Sequence, residues 1–214
     1  NEYSGNDPGD PLAGLFDASQ GMDEITKAIR LAATDDRISG ISLGGPYLLA
    51  GITQTRAIRQ ALAEFRETGK FVYAYGDFYM QKDYYLSSVA DSVFLNPVGT
   101  VDFKGLAAEV LYFKEFQEKT GLQMEVVRHG KYKSAVEPFL SDSMSDDNRE
   151  QLRELLASIW SSIREEISTS RGLSVDELDR IADGLLARTP ERAVTTGLVD
   201  ALIYRGEYDD LLAR

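Results

Sequence analysis

Short β-type runs that end at glycine alternate with helical segments along much of this 214-residue chain. The runs at 38–43 and 71–75 read as strands, and each is followed directly by a glycine. Helical periodicity fills 52–68, and it returns at 80–90 before a further strand at 92–95. Strands that alternate with helices favour a mainly parallel sheet with right-handed crossovers. The sequence therefore predicts an α/β fold.

Polarity and turn residues divide the chain into three predicted parts. Residues 1–18 form a polar arm without periodicity, and residues 19–140 form the α/β core, in which 106–111 is expected to be another strand. Residues 141–214 are expected to form a helical extension that packs on the core or on a neighbouring subunit. Its main element is a long helix that ends near Ser170.

Composition excludes several classes of function. The chain has 35 acidic and 23 basic side chains, and a net charge of −12 disfavours nucleic acid as a partner. It has no cysteine and one histidine, so a thiol nucleophile is excluded and a transition-metal site is improbable. We predict no cofactor and no metal. The chain opens at Asn1 without a methionine, and we interpret it as an excised fragment.

Two lysines in one short segment are the first candidates for chemistry. A β-type run at 123–127 leads into Gly130, after which Lys131 and Lys133 flank Tyr132. Strand alternation places both amines on one side. Burial can lower a lysine pKa by about 3–5 units, into the range of a general base. From composition alone, solvated surface lysines remain the simpler interpretation.

Other residues offer weaker signals. Gly44 and Gly45 directly follow a strand, where backbone amides can hold an oxyanion or a substrate, although an ordinary turn uses the same residues. Ser134 is adjacent to Lys133, and neighbours in an extended segment point to opposite faces, so it is a poor partner. His129 is expected to be structural, because nothing in the sequence pairs it with a nucleophile.

The segment from Gly130 to Phe139 resembles the lysine motif of the signal peptide peptidase (protease IV) family. The similarity extends to Gly44–Gly45, to 76–105 and to the stretch from Thr189 to Asp200. In particular, the chain is similar to the N-terminal half of the long, two-repeat form. The resemblance implies a Clp protease/crotonase-like fold with repeated ββα-type units. It also implies that the catalytic general base is Lys133, and not Lys131.

The sequence departs from the family pattern at the position of the nucleophilic serine. Tyr84 and Tyr85 align with the family's Ser-Gly-Gly-Tyr-Tyr elbow, but Gln81 stands where the nucleophilic serine is expected. A glutamine amide does not attack a carbonyl group. We therefore expect a half-site that supplies Lys133 and is inactive alone, while a C-terminal half supplies the serine.

The resemblance also implies a biological setting. It implies a membrane-anchored, oligomeric endopeptidase at the extracytoplasmic, periplasmic face of the inner membrane, which degrades cleaved signal peptides and similar hydrophobic peptides. The anchor is expected outside this chain, and Gly44 and Gly45 are expected to bind substrate or the oxyanion. Two alternatives stay open, namely a catalytically inactive peptide-binding and oligomerisation scaffold and an acyl-CoA enzyme of the crotonase group.

Overall fold

The computed structural model describes residues 21–44, 50–122, 124 and 136–213. These ranges contain four strands and nine α-helices. The strands are β1 (Gly40–Gly44), β2 (Phe71–Met80), β3 (Ser92–Asp102) and β4 (Ala201–Leu202). The helices are α1 (Met22–Thr34), α2 (Ile52–Arg66), α3 (Gln81–Ser87), α4 (Lys114–Thr120), α5 (Glu137–Leu140), α6 (Asp146–Arg171), α7 (Val175–Asp183), α8 (Pro190–Thr195) and α9 (Arg205–Leu212).

The four strands form one parallel sheet in the order β1-β2-β3-β4. β1 pairs with β2 from Gly40 to Gly44, and β4 adds a short edge beside Phe94 and Leu95 of β3. Parallel neighbours need crossover connections, which the helices between the strands provide. The predicted α/β fold with a mainly parallel sheet is confirmed.

The sheet buries apolar side chains on both faces. Val72, Ala74, Val93 and Leu95 alternate along β2 and β3 and are fully buried, as are Leu62 and Phe65 of α2. The intervening positions carry aromatic rings, and Tyr208 of α9 stacks on Tyr75 with ring centroids 5.0 Å apart. Burial on both faces is the usual condition of a parallel sheet.

Two strands are longer than the sequence predicts. β2 does not end at Gly76 but continues to Met80, and β3 runs through Pro97 and Gly99 to Asp102. The pairing register of β2 and β3 shifts between Gly76 and Phe78. Gly76, Pro97 and Gly99 therefore lie at an irregularity within the paired strands and not at their ends. A Cβ at Gly99 would lie 2.3 Å from the carbonyl oxygen of Asp77, which explains the glycine.

The strand predicted at 106–111 is wrong. These residues carry no regular secondary structure, and the sheet in the described part of the chain consists of β1 to β4 alone. An apolar run forms a strand only where a neighbouring strand supplies hydrogen bonds, and no strand among the described residues pairs with this one. The long helix predicted to end near Ser170 is confirmed as α6.

The chain forms two compact units. Unit 1 contains residues 1–105 and 164–214, and unit 2 contains residues 106–163. Unit 1 holds the sheet, and within unit 2 the ring of Phe113 stacks on that of Phe139 at 5.6 Å. The division into 1–18, 19–140 and 141–214 stays a prediction.

Candidate functional site

The junction between β2 and α3 places Gln81 at the first residue of a short helix. Its Oε1 accepts a hydrogen bond of 2.8 Å from the backbone N–H of Lys104, two residues after β3 ends. Its Nε2 is buried and has no acceptor in the part of the chain that the structure describes. The Gln81 side chain therefore links the segment after β3 to the start of α3. A carboxamide at this position is not a nucleophile.

Lys82 connects the same helix to a third segment. Its Nζ donates a 2.6 Å hydrogen bond to the carbonyl oxygen of Ala50, which precedes the N-cap residue Gly51 of α2. The far end of the connection between β1 and α2 is thereby held at the first turn of α3. Three separate segments thus meet at Gln81 and Lys82, near the carboxyl ends of β2 and β3.

The body of α3 is fixed by buried tyrosines. The hydroxyl of Tyr84 donates to the carbonyl oxygen of Leu198 at 2.8 Å, and that of Tyr85 donates to Oε2 of Glu166 at 2.6 Å. Desolvation raises the pKa of both tyrosine hydroxyls well above its usual value, so both stay protonated. Ser87 and Ser88 are buried, and the Ser88 hydroxyl donates to the carbonyl oxygen of Tyr85. Neither serine is presented to a substrate.

Only some of the predicted site residues lie among the residues that the structure describes. Gly44 ends β1 opposite Tyr75, and Gln81 begins α3. Gly45 and Lys133 lie outside the described residues, as do Lys131, Ser134 and His129. The assignments of Lys133 as the base and of Gly44–Gly45 as a substrate or oxyanion site stay predictions.

An arginine that was not predicted from the sequence as a site residue lies beside Gly44. Arg205, the first residue of α9, places its Nη1 3.6 Å from where a Cβ of Gly44 would be. Its guanidinium lies over the rings of Tyr75 and Tyr208, at 5.6 and 5.8 Å from the centroids. Residues so distant in sequence share no local pattern, so no sequence signal could have paired them.

A cleft of about 420 Å³ lies between α2 and the last part of α6. Arg59 lines it and is 4% exposed, and its Nη2 donates to the carbonyl oxygen of Glu166 and to Oγ of Ser170. Oε1 of Glu166 also forms an ion pair with Arg56 at 2.7 Å. Desolvation lowers the pKa of the Arg59 guanidinium from its usual value. These contacts join two helices, and they account for the buried charge.

Other site classes lack support among the described residues. No group of three or more histidine, cysteine, aspartate or glutamate residues there could hold a metal ion. Within the same ranges, no helix combines the length and apolar character that crossing a bilayer requires.

Comparison with known proteins places the chain in a family. The family model described as peptidase family S49 matches residues 64–214, which is more than half of the sequence. The chain belongs to peptidase family S49. S49 peptidases have a Clp protease/crotonase-like fold, so the predicted fold class is confirmed.

Individual S49 relatives agree with this assignment. "Protease 4" of Salmonella typhi is 37% identical, with 89% of this chain and 32% of the relative covered. "Protease 4" of Haemophilus influenzae is 34% identical over the same shares, and "Serine protease SPPA, chloroplastic" of Arabidopsis thaliana is 27% identical over 95% and 30%. The resemblance to protease IV is confirmed. This S49 chain spans about a third of the length of these relatives.

Proposed function

We propose that this S49 chain is the part of a serine–lysine endopeptidase that supplies the general base, Lys133, but not the serine. The observation that carries the proposal is Gln81 at the first residue of α3, where the family's elbow has its nucleophile. Its Oε1 is already bound to the Lys104 amide, and a carboxamide is not a nucleophile towards a peptide bond. The reactive hydroxyl therefore comes from another part of the full-length protein.

The reaction needs a neutral Lys133 amine. As the serine Oγ bonds to the peptide carbonyl carbon, its proton moves to Nζ of Lys133, and the lysine then gives that proton to the leaving amine. Water hydrolyses the resulting ester in a second, equivalent cycle. Backbone amides at Gly44 and Gly45 are proposed to hold the oxyanion or the substrate strand.

We propose the same setting for the full-length protein as the family resemblance implies. It is membrane-associated at the extracytoplasmic face through an anchor outside this chain, and it degrades cleaved signal peptides and similar hydrophobic peptides. Its partners are a serine-bearing C-terminal half and further copies of itself. Support for a protein partner comes from unit 2, which exposes large apolar side chains at Leu111, Phe113, Phe116, Leu122, Met124 and Leu140.

The test compares two lysines of one motif in the full-length protein. Lys133→Ala is expected to abolish cleavage of an apolar reporter peptide, because no base then activates the serine. Lys131→Ala makes the same side-chain truncation two residues away and should keep most of the activity. Equal activity of Lys133→Ala and wild type would show that the base was assigned wrongly. The isolated chain should not turn over a peptide ester.

A scaffold without a catalytic role is the second candidate. It is favoured by the hydrogen bond between Gln81 and the Lys104 amide, because that contact gives the glutamine a structural purpose. The same experiment discriminates between the two. Full activity of both lysine variants, combined with loss of activity when the chain is deleted, would favour the scaffold.

A further inference from the structure

The guanidinium of Arg205 is held in a defined orientation at the edge of the sheet. Its Nε donates to Oδ1 of Asp209 at 2.9 Å, one helical turn along α9. Its Cζ lies over the rings of Tyr75 and Tyr208, which also stack on each other. The Oγ of Ser42 and the hydroxyl of Tyr208 are 2.7 Å apart, which ties this assembly to β1.

One edge of the guanidinium fork has no hydrogen-bond partner among the described residues. Neither Nη1 nor Nη2 of Arg205 has an acceptor among the described residues, and the side chain is 58% exposed. Because Asp209 occupies Nε, the edge formed by the two Nη groups is the one left for a ligand. That edge matches the two oxygens of a carboxylate.

The position of this edge is also favourable. Ligands of open parallel sheets bind outside the carboxyl ends of the strands, and Gly44 is the last residue of β1. With no side chain at Gly44, nothing from that residue covers Nη1. Asp77 contacts the Tyr75 hydroxyl, and its Oδ1 accepts hydrogen bonds from Asn96 and Tyr75.

We propose that Arg205, beside the backbone of Gly44, binds the C-terminal carboxylate of a peptide. The inference rests on the proposed function in one respect, namely that the ligand is a peptide substrate or product. A peptide released by an earlier cleavage ends in a free carboxylate, whereas an internal segment of a folded protein does not. The site would therefore favour already cleaved peptides over intact chains.

The test measures binding, so it does not depend on turnover. An apolar peptide with a fluorescent label at its N-terminus is titrated with the 214-residue chain, once as the free acid and once as the C-terminal amide. The acid should bind about fivefold more tightly, the factor expected for one exposed arginine–carboxylate pair. The preference should shrink as salt is added, because the pair is exposed.

Arg205→Gln should remove the preference for the acid, and Arg205→Lys should keep only part of it because a lysine lacks the fork. Arg37→Gln is the matched control. It makes the same change in net charge at an exposed arginine that is also paired with an aspartate, Asp35, before β1 begins. This variant should keep the full preference.

Three outcomes would overturn the inference: equal binding of acid and amide, a preference that survives in Arg205→Gln, or no binding of either peptide. The proposed function is tested separately by cleavage in the full-length protein. If the full-length protein cleaves peptides but the isolated chain does not prefer the acid, only the proposed carboxylate site is refuted. If the isolated chain prefers the acid but the full-length protein cleaves no peptide, only the proposed peptidase function is refuted.

Discussion

Two arginines that share one carboxylate should differ sharply in their contribution to stability. Arg59 and Arg56 both pair with Glu166, but their side chains are 5% and 62% exposed. Arg59→Met removes two hydrogen bonds from a charged donor, to the carbonyl oxygen of Glu166 and to Oγ of Ser170. Each such bond contributes about 1.5 kcal/mol or more, so the gross loss is about 3 kcal/mol.

Two effects reduce that loss. Nε of Arg59 is buried without a hydrogen-bond acceptor, so the substitution also relieves a desolvated donor. Glu166 keeps Arg56 and the Tyr85 hydroxyl as partners and is not left unpaired. We therefore expect Arg59→Met to lower the free energy of unfolding by about 2–3 kcal/mol, and Arg56→Met to lower it by less than about 1 kcal/mol.

Urea denaturation followed by circular dichroism measures both variants against wild type, and the shift of the midpoint at constant slope gives each difference. Equal losses for the two variants would refute the reasoning, because burial would then not determine the strength of these contacts. A loss below about 1 kcal/mol for Arg59→Met would do the same, because the two hydrogen bonds would then contribute nothing net.

Two further predictions concern a helix cap and a backbone contact. Oε2 of Glu177 accepts hydrogen bonds from the backbone and hydroxyl of Ser174, which hold the pKa of that carboxyl below its usual value. Glu177→Gln should therefore lower the urea midpoint at pH 7, and the difference from wild type should shrink as the pH is lowered below the usual carboxyl pKa. This stabilisation is present above the usual pKa and is lost as the pH falls through the folded-state pKa. A difference that does not change with pH would contradict the assignment. Gly99→Ala should destabilise the chain by about 2–3 kcal/mol, because its Cβ would overlap the Asp77 carbonyl oxygen. Gly105→Ala meets no atom within 4 Å and carries only the strain of a positive φ, so it should cost about 1 kcal/mol, and the reverse ranking in urea melts would count against the account.

Most of the α/β fold could be predicted from the sequence because its signals were local and repeated. β1 and the first part of β2 were predicted from apolar runs that end at glycine, and α6 from its apolar stripe. The predicted end of a strand at Gly76 was wrong, because this glycine lies at a register shift within the paired strands β2 and β3. Gly99 of β3 lies against Asp77 at the same irregularity. The run at 106–111 failed for another reason, since pairing depends on a partner strand that a local pattern cannot reveal.

The candidate site was predictable only where the family motif names its residues. Gln81 was singled out because it departs from the motif, and the structure adds its contact with the Lys104 amide. The hydrogen bond from Lys82 to Ala50 and the approach of Arg205 to Gly44 join segments far apart in the chain. Such contacts follow from the topology of the sheet, and no spacing in the sequence encodes them.

The most direct test of the central claim is to locate the reactive serine. The full-length protein is treated with a fluorophosphonate probe that labels activated serines, and the modified residue is mapped by mass spectrometry in wild type, Lys133→Ala and Lys131→Ala. We expect a single adduct outside residues 1–214, which is lost in Lys133→Ala and kept in Lys131→Ala. An adduct on a serine within residues 1–214, or undiminished labelling of Lys133→Ala, would contradict it.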